Sequence, residues 1–258
     1  FDYLLIMIET NGFTIIAHRG FSEKLPENTF PAFDLAIGSG FHNLELDVQL
    51  TKDKIPVIIH DSNLLRTTGV NDLVSERKYD QIKFLEAVNE FSVAGEEYRI
   101  PKLTDVLDRY KNEVHLHLEL KSDDQNLPEL VYRHLNDYGW LSREKSLYEV
   151  GGITISSFRI EQLIRFEKIT NSERTAWLVD RITKNRLASC AEQNINLICP
   201  IAKFADSESV DMASEKQIEV RNWGVSSVDD LIKAYNSGST GSTVDWPLKA
   251  KEVLARMT

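Results

Sequence analysis

The chain has 258 residues, a length that suits either two small domains or one large α/β barrel. Hydrophobic residues make up 42% of it and charged residues 27%, which indicates a globular protein with a sizeable core and an ordinary polar surface. A formal net charge of −10 argues against the broad basic surface of a nucleic-acid binder, so any basic site must be local.

The N-terminal apolar run and the two cysteines set the expected compartment. The run LLIMI, at 4–8, is far below the roughly 18 residues of a membrane span, and acids rather than a basic segment flank it. Cys190 and Cys199 are too few for a disulfide scaffold and lack metal-ligand spacing, so we expect reduced, buried thiols. These features predict a cytoplasmic protein without stable membrane insertion. Met7 is a candidate native start, with residues 1–6 either upstream read-through or a peripheral strand.

Short β-branched runs alternate with helical patterns from one end of the chain to the other. The strand-like runs read TIIAH, NLELDVQL, VHLHLELK, GITISSF, TAWLV, INLICP, QIEVRNW and GSTVDW. Helical patterns follow them, among them TFPAFDLAIGSG, LTDVLDRYK, NLPELVYRHLNDYG, RIEQLIRFEKI, SVDDLIKAYNSG and PLKAKEVLARM. About eight such units predict an α/β fold whose parallel sheet closes into a single TIM (β/α)8 barrel, with an open doubly wound sheet as the alternative.

One segment breaks this rhythm. The second unit carries an additional extended piece, IPVIIHD, and then about forty residues, 62–100, before the next helix. In a barrel, an insertion at this point lies on the face formed by the C-terminal ends of the strands, so it is predicted to be a lid or a substrate wall. No Gly/Ser-rich or Pro-rich linker divides the chain, which predicts one domain over 1–258.

Acidic residues lie inside two of the predicted strands. Glu45 and Asp47 leave the same face of one strand about 7 Å apart, at ~3.3 Å rise per residue, where they can share one cation. Glu119 and Lys121 repeat this spacing at the end of another strand. Parallel strands are usually buried on both faces, so these acids are not readily explained as solvent-facing. Carboxylates without soft ligands favour a hard divalent ion, Mg²⁺ or Ca²⁺.

Two histidines stand at predicted strand ends. His18 closes IIAH and His60 closes VIIH, the positions from which barrel enzymes draw catalytic groups. Beside a metal and an arginine, two imidazoles can divide the work of general base and general acid. The remaining histidines are predicted to be structural: His42 in a turn, His134 on a helix surface, and His115 and His117 in the barrel interior.

Local positive charge lies next to these groups. Arg19 offers a two-pronged donor and Lys121 a point charge to a phosphate, although either residue could instead pair with the nearby acids. The sequence contains no P-loop and no GxGxxG, so nucleotide binding has no support. The stretch GGITISS lacks the G-x-S-x-G of a nucleophile elbow.

Several motifs together resemble a known family. HRG, PENT, LELDVQLTKD, VIIHD, RTTG and LELK occur in the order and spacing found in the glycerophosphodiester phosphodiesterases. The dense match covers 15–69, and ISSF, VRNWGV and STVDWP extend the resemblance over nearly the whole chain. The resemblance implies a TIM barrel in which the segment after His60 is the family's characteristic insertion.

The resemblance also implies roles for individual residues. Glu45, Asp47 and Glu119 would hold one divalent cation, and His18 and His60 would form the acid/base pair. Arg19 and Lys121 would contact the phosphate, and Trp223 would lie near the organic part of a small-molecule substrate. The implied reaction is metal-dependent hydrolysis of glycerophosphodiesters to glycerol 3-phosphate and an alcohol, through attack by the glycerol 2-hydroxyl and a cyclic phosphate.

Two other functions stay open at this point. A lysophospholipase D would use the same site on a lysophospholipid and would need an apolar channel. A non-catalytic phosphodiester-binding barrel would be marked by loss of a histidine or a metal acid, and none is missing. Gly224 and Trp246 depart from the family's usual Thr and Tyr or Phe, which bears on substrate preference. The sequence leaves open which alcohol is preferred, whether the ion is Mg²⁺ or Ca²⁺, which histidine is the acid and which the base, and the oligomeric state.

Overall fold

The computed structural model of the protein describes residues 12–90, 92, 95–141 and 148–257. Its strands are β1 (Thr14–His18), β2 (Asn43–Leu50), β3 (Pro56–Ile58), β4 (His115–Leu120), β5 (Ile153–Ser157), β6 (Arg174–Leu178), β7 (Leu197–Cys199), β8 (Glu219–Asn222) and β9 (Gly241–Val244). All of them except β3 pair in parallel, and β1 is hydrogen-bonded to both β2 and β9. The sheet therefore closes into an eight-stranded parallel barrel, as the alternating sequence pattern predicts.

Helices connect the strands around the outside of the barrel. They are α1 (Phe30–Gly38), α2 (Leu65–Thr68), α3 (Tyr79–Ile82), α4 (Leu103–Arg109), α5 (Leu127–Asp137), α6 (Ile160–Ile169), α7 (Lys184–Glu192), α8 (Ser207–Ser214), α9 (Val228–Asn236) and α10 (Pro247–Leu254). Short 3₁₀ turns cover Val74–Glu76 and Ala202–Phe204. Three helices begin at a polar residue whose side chain accepts a hydrogen bond from a backbone N–H of the first turn: Thr183, Asp206 and Ser227.

The two faces of each barrel strand have different chemistry. On β2, Leu44 and Leu46 are fully buried and belong to the core that also contains Phe33 from α1. The alternate residues of the same strand, Glu45 and Asp47, are also buried, and Glu45 lines a cavity in the barrel. Because side chains alternate along a strand, the apolar core lies between strands and helices while polar groups occupy the barrel interior.

The insertion at 62–100 packs beside the barrel. β3 pairs antiparallel with the end of β2, so the extended piece after β2 forms a hairpin outside the parallel series. Val57 and Ile59 of this hairpin form a small separate core with apolar residues of the insertion: Leu64, Val74, Ile82 and Ile100. The insertion after the second β unit is therefore held to the rim by its own hydrophobic cluster.

The predictions about the cysteines and about membrane-spanning segments can be compared with the structure. Cys190 and Cys199 are buried free thiols, as predicted. Within the described part of the chain, no helix has the length and apolar character needed to cross a bilayer. The run LLIMI and the candidate start Met7 lie outside the described residues.

Barrel closure generates a prediction at Gly241. This residue of β9 pairs with Thr14 of β1, and a Cβ added to it would lie 2.6 Å from the backbone oxygen of Thr14. Backbone cannot yield as a flexible side chain can, so Gly241→Ala should lower the free energy of unfolding by about 1–3 kcal/mol. Urea denaturation would measure the change. Gly38→Ala is the matched control, because nothing lies within 4 Å of its added Cβ; equal stability of the two variants would contradict the prediction.

Candidate active site

Three acidic side chains meet in the barrel interior on neighbouring strands. Glu45 and Asp47 extend from β2 and Glu119 extends from β4, and the register pairs Asp47 directly with Glu119. Each residue offers an oxygen that lies within 4.8 Å of the others, and all three residues are buried. The structure thus brings together the three predicted metal ligands.

The electrostatics of this acid cluster favour a nearby positive charge. Burial, and then the charge of Asp47, raise the pKa values of Glu45 and Glu119. Burial also raises the pKa of Asp47, but the charges of Arg19, His60 and Lys121 together outweigh this effect and the net pKa is lowered. Oε2 of Glu45 and Oδ1 of Asp47 have no hydrogen-bond partner. Buried carboxylate oxygens without partners fit a hard divalent cation, which prefers oxygen ligands.

Arg19 and Lys121 place their charges against this acid cluster. Nε of Arg19 lies 3.1 Å from Oδ2 of Asp47, and Nζ of Lys121 lies 3.0 Å from Oε1 of Glu119. Arg19 has a φ of +56°, an uncommon conformation for a residue with a side chain. Two backbone hydrogen bonds hold it there: its N–H donates to the oxygen of Glu45, and its own oxygen accepts from the N–H of Asn28. Both cations also line the cavity.

His18 ends β1, as predicted, and an aspartate orients its ring. Nδ1 of His18 lies 2.6 Å from the carboxylate of Asp245, and Nε2 lies 3.7 Å from Oε2 of Glu45. Burial lowers the pKa of His18, but the hydrogen bond to Asp245 and the charge of Glu45 raise it, and the net pKa is raised. Ser22 donates a second hydrogen bond to the same oxygen of Asp245.

His60 lies near the cavity but not at the end of a barrel strand. β3 ends at Ile58 and is antiparallel, so His60 belongs to the hairpin that follows β2. Nδ1 of His60 lies 2.6 Å from the carboxylate of Asp61, and Nζ of Lys121 lies 3.1 Å from Nε2. Burial lowers the pKa of this histidine. The predicted strand-end position was wrong, but the hairpin brings the ring to the same cavity as His18.

The cavity at this end of the barrel has a volume of about 260 Å³ and contrasting walls. Its lining includes charged side chains, among them both histidines, Arg19, Lys121 and two of the acids, and an apolar wall formed by Phe158, Leu178, Trp223 and Val225. The indole N–H of Trp223 donates to the oxygen of Val179, and its ring packs edge-on against Phe158 at 4.8 Å between centroids. This apolar wall could contact the organic part of a ligand.

No described residue of 62–100 lines this cavity, and the role of the insertion as a lid or a substrate wall stays a prediction. Its small core packs against the hairpin, and one of its described side chains, that of Arg66, contacts residues of the site. Arg66 donates to both carboxylate oxygens of Glu27, at 2.9 and 2.6 Å, and to Asp61 at 2.5 Å. Glu27 in turn accepts from Arg19 at 3.0 Å. The insertion therefore helps to orient site residues through Arg66.

Sequence reasoning missed several residues of the site. They are Glu27, Asn28, Asp61, Arg66, Arg221 and Asp245. All of them lie inside motifs already singled out, namely PENT, VIIHD, RTTG, VRNWGV and STVDWP. A catalytic imidazole is commonly oriented by a carboxylate at Nδ1. A search of the motifs for such carboxylates could have found Asp61 and Asp245.

The other histidines occupy structural positions. His115 and His117 are buried in β4 with their rings 4.6 Å apart. His115 pairs with the hydroxyl of Thr154 at 2.8 Å, and His117 with the side-chain oxygen of Asn43 at 3.2 Å. Neither belongs to the acid cluster. His42 is exposed between elements and His134 lies in α5, as predicted.

Comparisons with known proteins agree with this geometry. A model of the glycerophosphoryl diester phosphodiesterase family matches residues 18–249. The glycerophosphodiester phosphodiesterase of Bacillus altitudinis is 28% identical over 94% of this chain and 98% of its own length. Lysophospholipase D GDPD1 of Rattus norvegicus is 28% identical over 94% of this chain and 86% of its own length.

A solved structure shares the fold. It is a phosphodiesterase of Oleispira antarctica in complex with the product sn-glycerol-3-phosphate, with a TM-score of 0.84 and 24% identity. The match covers 93% of this chain and 96% of that one. The likeness extends over the whole barrel.

The acid cluster predicts stabilisation by divalent ions. Adding Mg²⁺ or Ca²⁺ to chelator-treated protein should raise the melting temperature, because an ion that binds only the folded state stabilises it by about 2.7 kcal/mol at a hundred times its Kd. Glu119→Gln should reduce this shift, since it removes one anionic ligand. Asp124→Asn is the control, as Asp124 pairs with Lys54 outside the acid cluster. A melting temperature indifferent to both ions would contradict the prediction.

Proposed function

Because the chain belongs to the glycerophosphoryl diester phosphodiesterase family, we propose that its cavity hydrolyses glycerophosphodiesters such as glycerophosphocholine to glycerol 3-phosphate and an alcohol. The enzyme is a phosphoric diester hydrolase. The observation that supports the site assignment is the convergence of two histidines, two cations and the acid cluster around one cavity. Each of these groups has a task in phosphodiester cleavage.

Arg19 and Lys121 are the proposed phosphate ligands. Both reach the acid cluster from the side of the cavity, and each keeps donors beyond those used by Asp47 and Glu119. A phosphodiester carries one negative charge, and two fixed cations would hold its non-bridging oxygens in one orientation. They would also stabilise the charge that builds up on those oxygens during attack.

The acid cluster is the proposed site of one divalent cation, Mg²⁺ or Ca²⁺. Held by Glu45, Asp47 and Glu119, the ion would supply Lewis-acid charge beside the phosphate and lower the pKa of a substrate hydroxyl. The protein contributes the fixed position of the three carboxylates, which two adjacent strands hold in register.

The two histidines are the proposed acid and base. Each ring has its Nδ1 against an aspartate, Asp245 for His18 and Asp61 for His60. This arrangement places the proton on Nδ1, so that Nε2 of each ring would exchange a proton with the substrate. In His60 this atom also lies 3.1 Å from Nζ of Lys121, which the bound phosphate would draw away. One histidine would take the proton of the attacking hydroxyl, and the other would protonate the departing alcohol oxygen.

The proposed reaction proceeds in two displacements. The glycerol 2-hydroxyl oxygen bonds to phosphorus as the bond from phosphorus to the alcohol oxygen breaks, which gives the alcohol and a cyclic phosphate. Water then opens the ring, with the two histidines exchanging roles, and glycerol 3-phosphate results. The first step is intramolecular, so the site needs only to orient the glycerol, not to capture a separate nucleophile.

A second candidate substrate class is lysophospholipids. The apolar wall, which includes Phe158, Leu178 and Trp223, favours it, as does the similarity to a rat lysophospholipase D over 86% of that protein. A non-catalytic barrel has no support, because every proposed catalytic and metal residue is present. That 1–258 forms one domain and that the protein is cytoplasmic stay predictions.

The histidine roles can be tested by substitution. His18→Ala and His60→Ala should each lower kcat by on the order of 10² to 10⁴, the usual contribution of a positioned acid or base. Release of glycerol 3-phosphate measures turnover, and circular dichroism checks the fold. His134→Ala on α5 is the control and should retain full activity. Wild-type kcat in a folded His60→Ala would remove that residue from the mechanism.

The nucleophile can be tested with a modified substrate. Glycerophosphocholine and its 2-deoxy analogue carry the same charges, so Arg19 and Lys121 should bind them with similar affinity. Well-oriented intramolecular groups reach effective concentrations on the order of 10⁵ M or more, so kcat should collapse without the 2-hydroxyl. Early in turnover, ³¹P NMR should detect the cyclic phosphate from the natural substrate alone. Comparable kcat values would show that water attacks directly.

A further inference from the structure

One cation of the barrel interior has no part in the mechanism above. Arg221 extends from β8, lines the cavity and is only 1% exposed. Its Nε and Nη1 atoms have no hydrogen-bond partner, and no carboxylate of a described residue lies within 4 Å of its guanidinium. Arg19 and Lys121, in contrast, each pair with acids of the site.

The neighbours of Arg221 do not balance its charge. Its strongest electrostatic interactions are with Cys199, which is also hydrogen-bonded to it, and with Tyr148, and the interaction with Glu45 is weaker. Burial raises the pKa values of both Cys199 and Tyr148, so the thiol and the phenol are uncharged at neutral pH. Glu45 belongs to the acid cluster. A buried guanidinium with two free donor atoms therefore faces the cavity without an anion of its own.

The adjacent strand adds a second unused polar group. Gly241 of β9 pairs with Arg221, and Thr243, two residues further towards the C-terminal end, also lines the cavity. The hydroxyl of Thr243 is buried and has no hydrogen-bond partner. A guanidinium and a hydroxyl with free donors on neighbouring strands make a suitable cradle for an oxyanion.

We infer that Arg221 and Thr243 form a second anion subsite, which selects phosphodiesters that carry a further carboxylate or phosphate besides the scissile group. The inference rests on the proposed function, because the scissile phosphate must first be held by Arg19 and Lys121. The planar fork of Arg221 binds either kind of oxyanion through two parallel hydrogen bonds.

The subsite lies on either the glycerol side or the alcohol side of the scissile phosphate, and two matched pairs of compounds distinguish these cases. 3-Phosphoglycerate differs from glycerol 3-phosphate by a carboxylate in place of a hydroxymethyl group. Glycerophosphoserine differs from glycerophosphoethanolamine by one carboxylate on the alcohol. Calorimetric Kd values for the first pair and kcat/KM values for the second measure the preference on each side.

Wild-type protein should prefer the carboxylate member of one pair by about tenfold, the usual order for one charge-assisted contact. Arg221→Met, which keeps an unbranched stem but removes the guanidinium, should abolish that preference, and Thr243→Val should reduce it. Arg109→Met is the control, since Arg109 pairs with Asp34 on the outer helices and should keep the preference. Melting temperatures check that each variant is folded. The comparison of the two compounds of each pair on wild-type protein does not depend on any variant.

The outcomes separate the subsite from the reaction. A carboxylate preference in either pair that Arg221→Met removes supports the subsite and places it on that side. Hydrolysis of the diesters without a carboxylate preference in either pair overturns the subsite but leaves the proposed function intact. A preference that survives in folded Arg221→Met also overturns it. Absence of hydrolysis, with 3-phosphoglycerate still bound more tightly through Arg221, counts against the proposed function alone.

Discussion

Three carboxylates buried within 4.8 Å of one another repel each other strongly when they are charged. Most of the surrounding side chains offset that repulsion. Arg19 and Lys121 bring positive charge to the same oxygens, and Asn28 donates its side-chain amide to Asp47 at 2.8 Å. The unusual backbone of Arg19 belongs to this arrangement, because it turns the guanidinium back towards the acids. The same three acids could hold a metal ion, whose charge would offset the remaining repulsion.

The barrel can be stable with a polar interior because its apolar and polar buried side chains lie on different faces of the strands. The outward face of each strand contributes to an apolar core with the helices, as Leu44, Leu46 and Phe33 illustrate. The inward face can then carry acids, histidines and an unpaired arginine whose isolated burial is unfavourable. Stability and chemistry therefore lie in separate layers of the same strands.

The sequence predicted the barrel and the central site residues because their signals are local. Strand length, alternation and spacing on one strand suffice to bring Glu45 and Asp47 together, and the family motifs add their partners. The contact between His18 and Asp245 joins residues 227 positions apart, so no local pattern marks it. The direction of β3 was missed because an apolar run does not encode whether its strand is parallel. Arg221 was missed because a lone arginine in a strand looks like an ordinary surface charge.

The hairpin strand β3 also seals the wall of the barrel. β1 has five residues and β2 has eight, and their pairing ends where His18 meets Glu45. Beyond that point the free edge of β2 would expose unpaired backbone donors and acceptors. β3 pairs with Val48, Gln49 and Leu50 and occupies that edge. An open strand edge is a template on which another chain can add a strand. By occupying the edge of β2, the hairpin therefore protects the protein against aggregation at that edge.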